Sequence, residues 1–140
     1  MDNIFMKLAI EEAKKSSEPL KCGVVIVKGE QVIAKAYNSQ RNSNNASAHA
    51  EINAIKMAGE NIGNKNLERC SIYCTCEPCI MCLSAIAFAK IGRLVYGLSL
   101  NDVTPPEKMI NIDINEFLAK APNKFKVLGN FMKEECSQLL

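Results

Sequence analysis

The sequence predicts an α/β layered domain, and three observations carry that prediction. Residues 47–97 alternate helix, strand, helix, strand, an order that favours parallel pairing of the two strands. Ahead of them, Cys22–Val27 and Gln31–Ala36 are β-rich runs joined by Lys28-Gly29-Glu30, a hairpin whose glycine accepts a positive φ. Before the hairpin, residues 2–16 place Ile4, Phe5, Leu8, Ala9 and Ala13 at helical spacing between charged residues, an amphipathic helix made to cover one face of a sheet.

The elements then follow in order. Tyr37–Ser47 is rich in Asn and Ser and reads as a loop, with Ser47 as the N-cap of a helix running to about Gly59. Cys70–Thr75 is a third strand. Pro78 suits the first turn of the next helix, where its missing N–H costs nothing, and that helix extends to about Lys90. Arg93–Gly97 is a fourth strand. Asn101–Pro106 is a turn-rich link, Ile114–Lys120 a short helix, Phe125–Leu128 a fifth strand and Phe131–Leu139 a closing helix.

Composition narrows the class. A chain of 140 residues, 48% hydrophobic and 23% charged, is expected to form one domain over residues 1–140 with its own core. The longest nearly apolar run, Ile80–Ala89 interrupted only by Ser84, is too short to span a bilayer, so no membrane partner is expected. The N-terminus lacks the basic start and apolar centre of a secretory signal. The seven cysteines are odd in number and four of them fall between Cys74 and Cys82, so a reduced, cytoplasmic chain is expected rather than a disulfide framework. A net charge of +2 with scattered Lys and Arg neither demands nor excludes a nucleic-acid partner.

The chemistry concentrates in two short segments, His49-Ala50-Glu51 and Glu77-Pro78-Cys79-Ile80-Met81-Cys82. His49 is the only histidine, so a metal site that needs an imidazole has one source. Cys79 and Cys82 stand three apart at a helix start, which puts both sulfurs on one face to chelate one ion. Two helix N-termini aimed at one point favour thiolates over thiols. Three protein ligands leave tetrahedral zinc one open position for water, and Glu51 is the base beside it. The competing reading is a structural zinc knot with Cys74 or Cys76 as the fourth ligand. Cys22, Cys70 and Cys136 read as ordinary core or surface thiols.

His-x-Glu followed by Pro-Cys-x-x-Cys is the signature of zinc deaminases. With it come Gly23-Val24-Val25-Ile26-Val27, Asn38 before the loop, Cys76 ahead of the Glu77–Cys82 segment, and Ile91-Gly92-Arg93-Leu94-Val95-Tyr96-Gly97. In these motifs, over roughly residues 3–100, the chain resembles the cytidine/deoxycytidylate deaminase superfamily. It is closer to the branch of guanine deaminases, yeast-type cytosine deaminases and bacterial tRNA adenosine deaminases. The resemblance implies a three-layer α/β/α fold with a central five-stranded mixed sheet, zinc held by His49, Cys79 and Cys82, and Glu51 as proton shuttle. It further implies that Asn38 contacts base or sugar, that backbone N–H groups near Ala50 and Cys79 orient the amine, and that the protein is a homodimer. Read without the resemblance, Asn38 is a strand-ending turn residue.

The substrate is less defined by the sequence. tRNA adenosine deaminases carry an Asp-x-Lys-x-Gly-Ala-x-Gly-Ser-like segment after the fourth strand, whereas Ser99–Met109 here reads Ser-Leu-Asn-Asp-Val-Thr-Pro-Pro-Glu-Lys-Met. A free nucleobase or nucleoside is therefore the first expectation. The ending Glu134-Glu135-Cys136 resembles tRNA-acting members and keeps tRNA as the alternative; Lys120, Lys124 and Lys126 are candidates for RNA contact, yet they are interleaved with apolar positions as on an ordinary solvated strand face. A catalytically silent binding protein is the third reading, and intact Glu51 speaks against it.

Overall fold

A computed structural model describes all residues, 1–140. The elements run α1 (Asp2–Ala13), β1 (Gly23–Lys28), β2 (Gln31–Tyr37), α2 (Gln40–Ser43), α3 (Ala50–Ile62), β3 (Cys70–Cys76), α4 (Ile80–Phe88), β4 (Arg93–Leu98), α5 (Leu100–Val103), α6 (Ile114–Lys120), β5 (Lys126–Leu128) and α7 (Lys133–Ser137). They form one five-stranded sheet in the order β2-β1-β3-β4-β5. β1 pairs antiparallel with β2 and β3, while β3–β4 and β4–β5 are parallel, so the sheet is mixed.

Two cores sandwich this sheet, as expected of a three-layer α/β/α arrangement. On one face Phe5, Met6, Ala9 and Ile10 of α1 pack with Val25, Val27, Tyr73, Val95 and Cys136. On the other, Ala50, Ala54 and Ala58 of α3 and Leu83, Ile86 and Ala87 of α4 pack on Val24, Ile26, Ile72 and Leu94. The small alanines on α3 let the helix lie close to the strands. α1 sits closer still, because a Cβ at Gly23 would fall 2.0 Å from the carbonyl oxygen of Ala9. The start of α1 is fastened across the strands. Arg93 donates to both carboxylate oxygens of Asp2 at 2.8 and 2.7 Å, and the Tyr73 hydroxyl donates to Asp2 at 2.6 Å. No helix is long and apolar enough to cross a membrane.

Several boundaries differ from the sequence expectation, each for a local reason. The first helix stops at Ala13 rather than residue 16, because the Ser16 hydroxyl donates to the carbonyl oxygen of Asn38. Ser47 does not cap α3; its hydroxyl and N–H both donate to Asn45 Oδ1, and His49 takes the N-cap position. The helix then runs past Gly59 to Ile62, where Gly63, at φ 67°, supplies the left-handed residue that ends it. Pro78 lies one residue ahead of the N-cap Cys79 rather than in the first turn of α4, and α4 ends at Phe88. The loop after Tyr37 contains the short α2, and the link after Leu98 contains α5. The closing helix is only Lys133–Ser137, because Met132 adopts φ 52° just before it. The hairpin turn is as expected, with Gly29 at φ 62°.

Candidate active site and metal centre

β3 and β4 run parallel, and their C-terminal ends open onto one cavity of about 390 Å³. Ligands of open α/β sheets bind in this position. His49, Glu51, Cys76, Glu77 and Cys79 are among the residues that line it.

His49 and Cys79 are the N-cap residues of α3 and α4, both with extended backbone (φ −70°, ψ 156° and φ −70°, ψ 173°) that turns the side chains across the helix starts. Cys82 follows one turn into α4 and is fully buried. His49 Nδ1 lies 3.7 Å from Cys79 Sγ and 3.6 Å from Cys82 Sγ. Zinc–nitrogen and zinc–sulfur bonds of about 2.0 and 2.3 Å at a tetrahedral angle require a nitrogen–sulfur separation of about 3.5 Å. All three ligand atoms lie within 4.8 Å of one another, so the donor set fits zinc in size, number and chemistry. Cys74 and Cys76 are not in this group; Cys74 is buried in the α3 core and Cys76 in the α1 core. The knot with a fourth cysteine therefore has no geometry to support it.

The charges follow the geometry. The thiol and backbone N–H of Cys82, together with His49, hold the Cys79 sulfur down at about 4 as a thiolate against its burial. Cys79 in turn raises His49. The Cys82 thiol is pushed up by the neighbouring Cys79 sulfur and by burial. A divalent ion replaces the shared proton of such a pair.

Glu51 is the second residue of α3 and is 6% exposed. Burial pushes its carboxyl up to about 7, and the Cys79 charge adds to this, while its own backbone N–H, His49 and the Cys82 thiol pull downward. A carboxyl titrating near neutrality exchanges protons in both directions. Ala50, between the two, is completely buried.

Asn38 also lines the cavity and is 6% exposed. Its Oδ1 accepts the N–H of Cys22 at 3.0 Å and its Nδ2 donates to the carbonyl oxygen of Leu20 at 2.7 Å. The amide thus clamps the approach to β1 onto the exit of β2. Glu77 faces the same cavity, and its Oε1 accepts the N–H of Leu100, so it caps α5 rather than α4. The basic residues Lys120, Lys124 and Lys126 lie outside this cavity, with Lys124 donating to the carbonyl oxygens of Leu118 and Ala121.

The far wall was not anticipated from sequence. Leu100, Val103, Thr104, Lys108 and Met109 close one side of the cavity. Ser99 and Asp102 form a capping box at the start of α5, and this Ser-x-x-Asp pattern was the available signal that the link is ordered.

A catalytic-type ion site beside a buried carboxylate, at the strand ends of an α/β/α sheet, places the chain among the zinc-dependent deaminases. The comparisons agree. The profile of the cytidine and deoxycytidylate deaminase zinc-binding region matches residues 1–98. A tRNA-specific adenosine deaminase of Buchnera aphidicola subsp. Schizaphis graminum is 37% identical over 99% of this chain and 91% of its own length. A solved structure from studies of A-to-I editing by tRNA:A34 deaminases superposes with TM-score 0.85 at 34% identity, covering 99% of both chains. The guanine deaminase of Bacillus subtilis superposes with TM-score 0.67 at 29% identity over 84% of this chain and 88% of that one. The chain belongs to the cytidine and deoxycytidylate deaminase family, and it is a zinc-dependent hydrolytic deaminase.

Proposed function

We propose that the 140 residues act as one cytoplasmic deaminase domain that exchanges the exocyclic amine of a free nucleobase or nucleoside for oxygen, releasing ammonia. The observation that carries this is Glu51, a buried carboxyl in the first turn of the same helix that His49 caps. Zinc, when bound by His49, Cys79 and Cys82, supplies Lewis acidity at the reacting oxygen. Glu51 takes a proton from the attacking water and gives it to the ring nitrogen beside the amine-bearing carbon. A second transfer protonates the departing amine, which leaves as ammonia. The N–H groups at the starts of α3 and α4, at Ala50 and beside Cys79, orient the ring, and Asn38 borders it. Free compounds suit a cavity whose lining includes the carboxylates of Glu18 and Glu77 against one cation, Lys108. An RNA strand needs a positive surface along its phosphates.

The second reading, adenosine in tRNA, is favoured by the Buchnera relative, whose similarity extends through the segment after residue 98. Ammonia release across bases, nucleosides, nucleotides and a tRNA anticodon stem-loop separates the two, with Glu51→Gln as control. Activity on free compounds supports the first reading, and activity on the stem-loop alone replaces it with the second. No activity on any of them returns the chain to the binding-protein reading.

A homodimer belongs to the same proposal. Phe88 ends α4 with 83% of its surface exposed, beside a separate groove of about 340 Å³ lined by Ile80, Ile112 and Phe117. Such a knob and groove on one face are self-complementary in a two-fold pair. Phe88→Glu is expected to shift the mass measured by light scattering from dimer to monomer.

A further inference from the structure

Two cysteines in the cavity lining are used by neither the ion site nor the deamination chemistry. Cys22, just ahead of β1, and Cys76, the last residue of β3, both line the cavity, and neither belongs to the His49, Cys79 and Cys82 group. The strands set them face to face. β1 and β3 pair antiparallel with Val24 opposite Cys74, and one residue further out the N–H of Gly23 donates to Thr75 Oγ1 at 3.0 Å. The same register, carried one more residue, puts Cys22 opposite Cys76. Directly opposed residues of antiparallel strands share a face and have Cα atoms about 4.5 or 5.5 Å apart, within the roughly 4.4–6.8 Å that a disulfide bridges. The sulfurs already interact. The neighbouring Cys76 sulfur, together with burial, pushes the Cys22 thiol well above its ordinary value, and the Glu51 charge adds to this.

Cys22 is also held in register from its other side. Its N–H donates to Asn38 Oδ1 at 3.0 Å, and its carbonyl oxygen accepts the N–H of Asn38 at 3.2 Å. The remaining thiols are placed differently. Cys70, Cys74 and Cys136 are buried and line no part of this cavity, while Cys79 and Cys82 belong to the ion ligands.

We propose that Cys22 and Cys76 form a modification site for peroxides, a dithiol that closes reversibly to a disulfide and, once closed, slows deamination without releasing zinc. One sulfur, as thiolate, attacks a peroxide oxygen. The O–O bond breaks, a sulfenic acid forms and the departing oxygen leaves as water. The second sulfur then attacks the sulfenic sulfur, the S–O bond breaks, and hydroxide leaves with the second thiol proton as a second water. In sum the two thiols lose two electrons and two protons, and hydrogen peroxide is reduced to two waters. Disulfides of reducing compartments are mostly transient and redox-sensing, the use to which a pair open to a cavity lends itself. An S–S bond of about 2.05 Å is shorter than any non-bonded sulfur contact, so closure draws the end of β3 toward β1. Cys76 stands three residues ahead of Cys79, so the shift reaches the reacting groups without taking a ligand from the ion. Misplacement of reacting groups by about 1 Å costs about 10²-fold in rate.

The test treats zinc-loaded wild-type protein with hydrogen peroxide and reads intact mass, non-reduced peptide maps, zinc content and ammonia release. Expected are the loss of two hydrogens, a peptide pair joined through Cys22 and Cys76, and unchanged zinc. Turnover should fall by at least about tenfold and return as dithiothreitol removes the link. Cys22→Ala and Cys76→Ala should each abolish both the joined peptides and the loss of two hydrogens. A link through Cys74, Cys79, Cys82 or Cys136, sulfinic acid at Cys22 or Cys76 without a link, zinc release, or a linked protein with unchanged turnover overturns the inference. The map of wild-type protein decides even where a variant misfolds. If no base, nucleoside, nucleotide or stem-loop is deaminated, the proposed function fails while the link and the zinc content still decide the modification site. Ammonia release without the link removes this inference and leaves the function.

Discussion

Two parts of the cavity lining are built in different ways. The part around the ion ligands uses secondary-structure termini: His49 and Cys79 on helix N-caps, Glu51 and Cys82 in the first turns, and Cys76 at a strand end. Each of these side chains is aimed by a backbone that the helix or strand already fixes. The part around Glu18 uses the chain on either side of the β1–β2 hairpin, where Ser16, Glu18, Asn38 and Arg41 are tied to one another by side-chain hydrogen bonds. The difference teaches a division of labour. Side chains whose placement tolerates little displacement sit on rigid elements, and the other part of the lining is held by side-chain hydrogen bonds that sequence change can remodel.

That contrast is most directly broken at Glu51. Glu51→Gln is expected to lower kcat by about 10²–10⁴-fold while zinc stays near one per chain by elemental analysis. A variant that turned over at the wild-type rate would sink the assignment of the proton shuttle. Cys79→Ala should instead lose the zinc, as read by the same analysis, because two donors hold the ion far less tightly than three.

Asn38→Ala sharpens the comparison from the part around Glu18. Removal of the clamp leaves the N–H of Cys22 and the carbonyl oxygen of Leu20 without their partner, which is expected to cost about 2 kcal/mol in denaturant unfolding. Zinc content should be unchanged. Loss of zinc in this variant would show that the two parts are not independent.

The smallest expected effect lies at the opposite end of the sheet. The guanidinium of Arg93 holds the Asp2 carboxyl down to about 2, with the Tyr73 hydroxyl helping against the effect of burial. A carboxyl depressed in the folded state contributes stability that is fully present above its unfolded value near 3.8 and is lost as pH falls through about 2. Both side chains are about a third exposed, so solvent screening keeps the contribution near 0.5 kcal/mol. Asp2→Asn should lower the unfolding midpoint slightly at pH 7, should match wild type at pH 2, and should leave turnover unaltered.

The same division explains what the sequence made legible. The ion site could be read because its residues lie in two short segments whose spacing is set by helical geometry, and because a single histidine left no choice of imidazole. The sheet could be read because β-branched runs and Gly29 mark the hairpin, and the strands pair in the expected sense. Ser47 misled because Asn45, two residues earlier, competes for its hydroxyl, and Pro78 misled because Cys79 needs extended backbone to face His49. The role of Glu77 escaped because it caps α5, a partner 23 residues away that local pattern cannot supply. The wall formed by Leu100, Val103 and Met109 escaped for a similar reason. Prolines and polar residues there look like a turn-rich link, and only packing shows what it covers.

The placement of His49 and Cys79 at two helix starts, 30 residues apart, has a consequence for how the chain matures. Neither helix alone can grip the ion, so its capture reports that both have already docked against the sheet. Metal retention thereby becomes a checkpoint on tertiary assembly, and a chain that cannot seat α3 beside α4 is left both empty and inert.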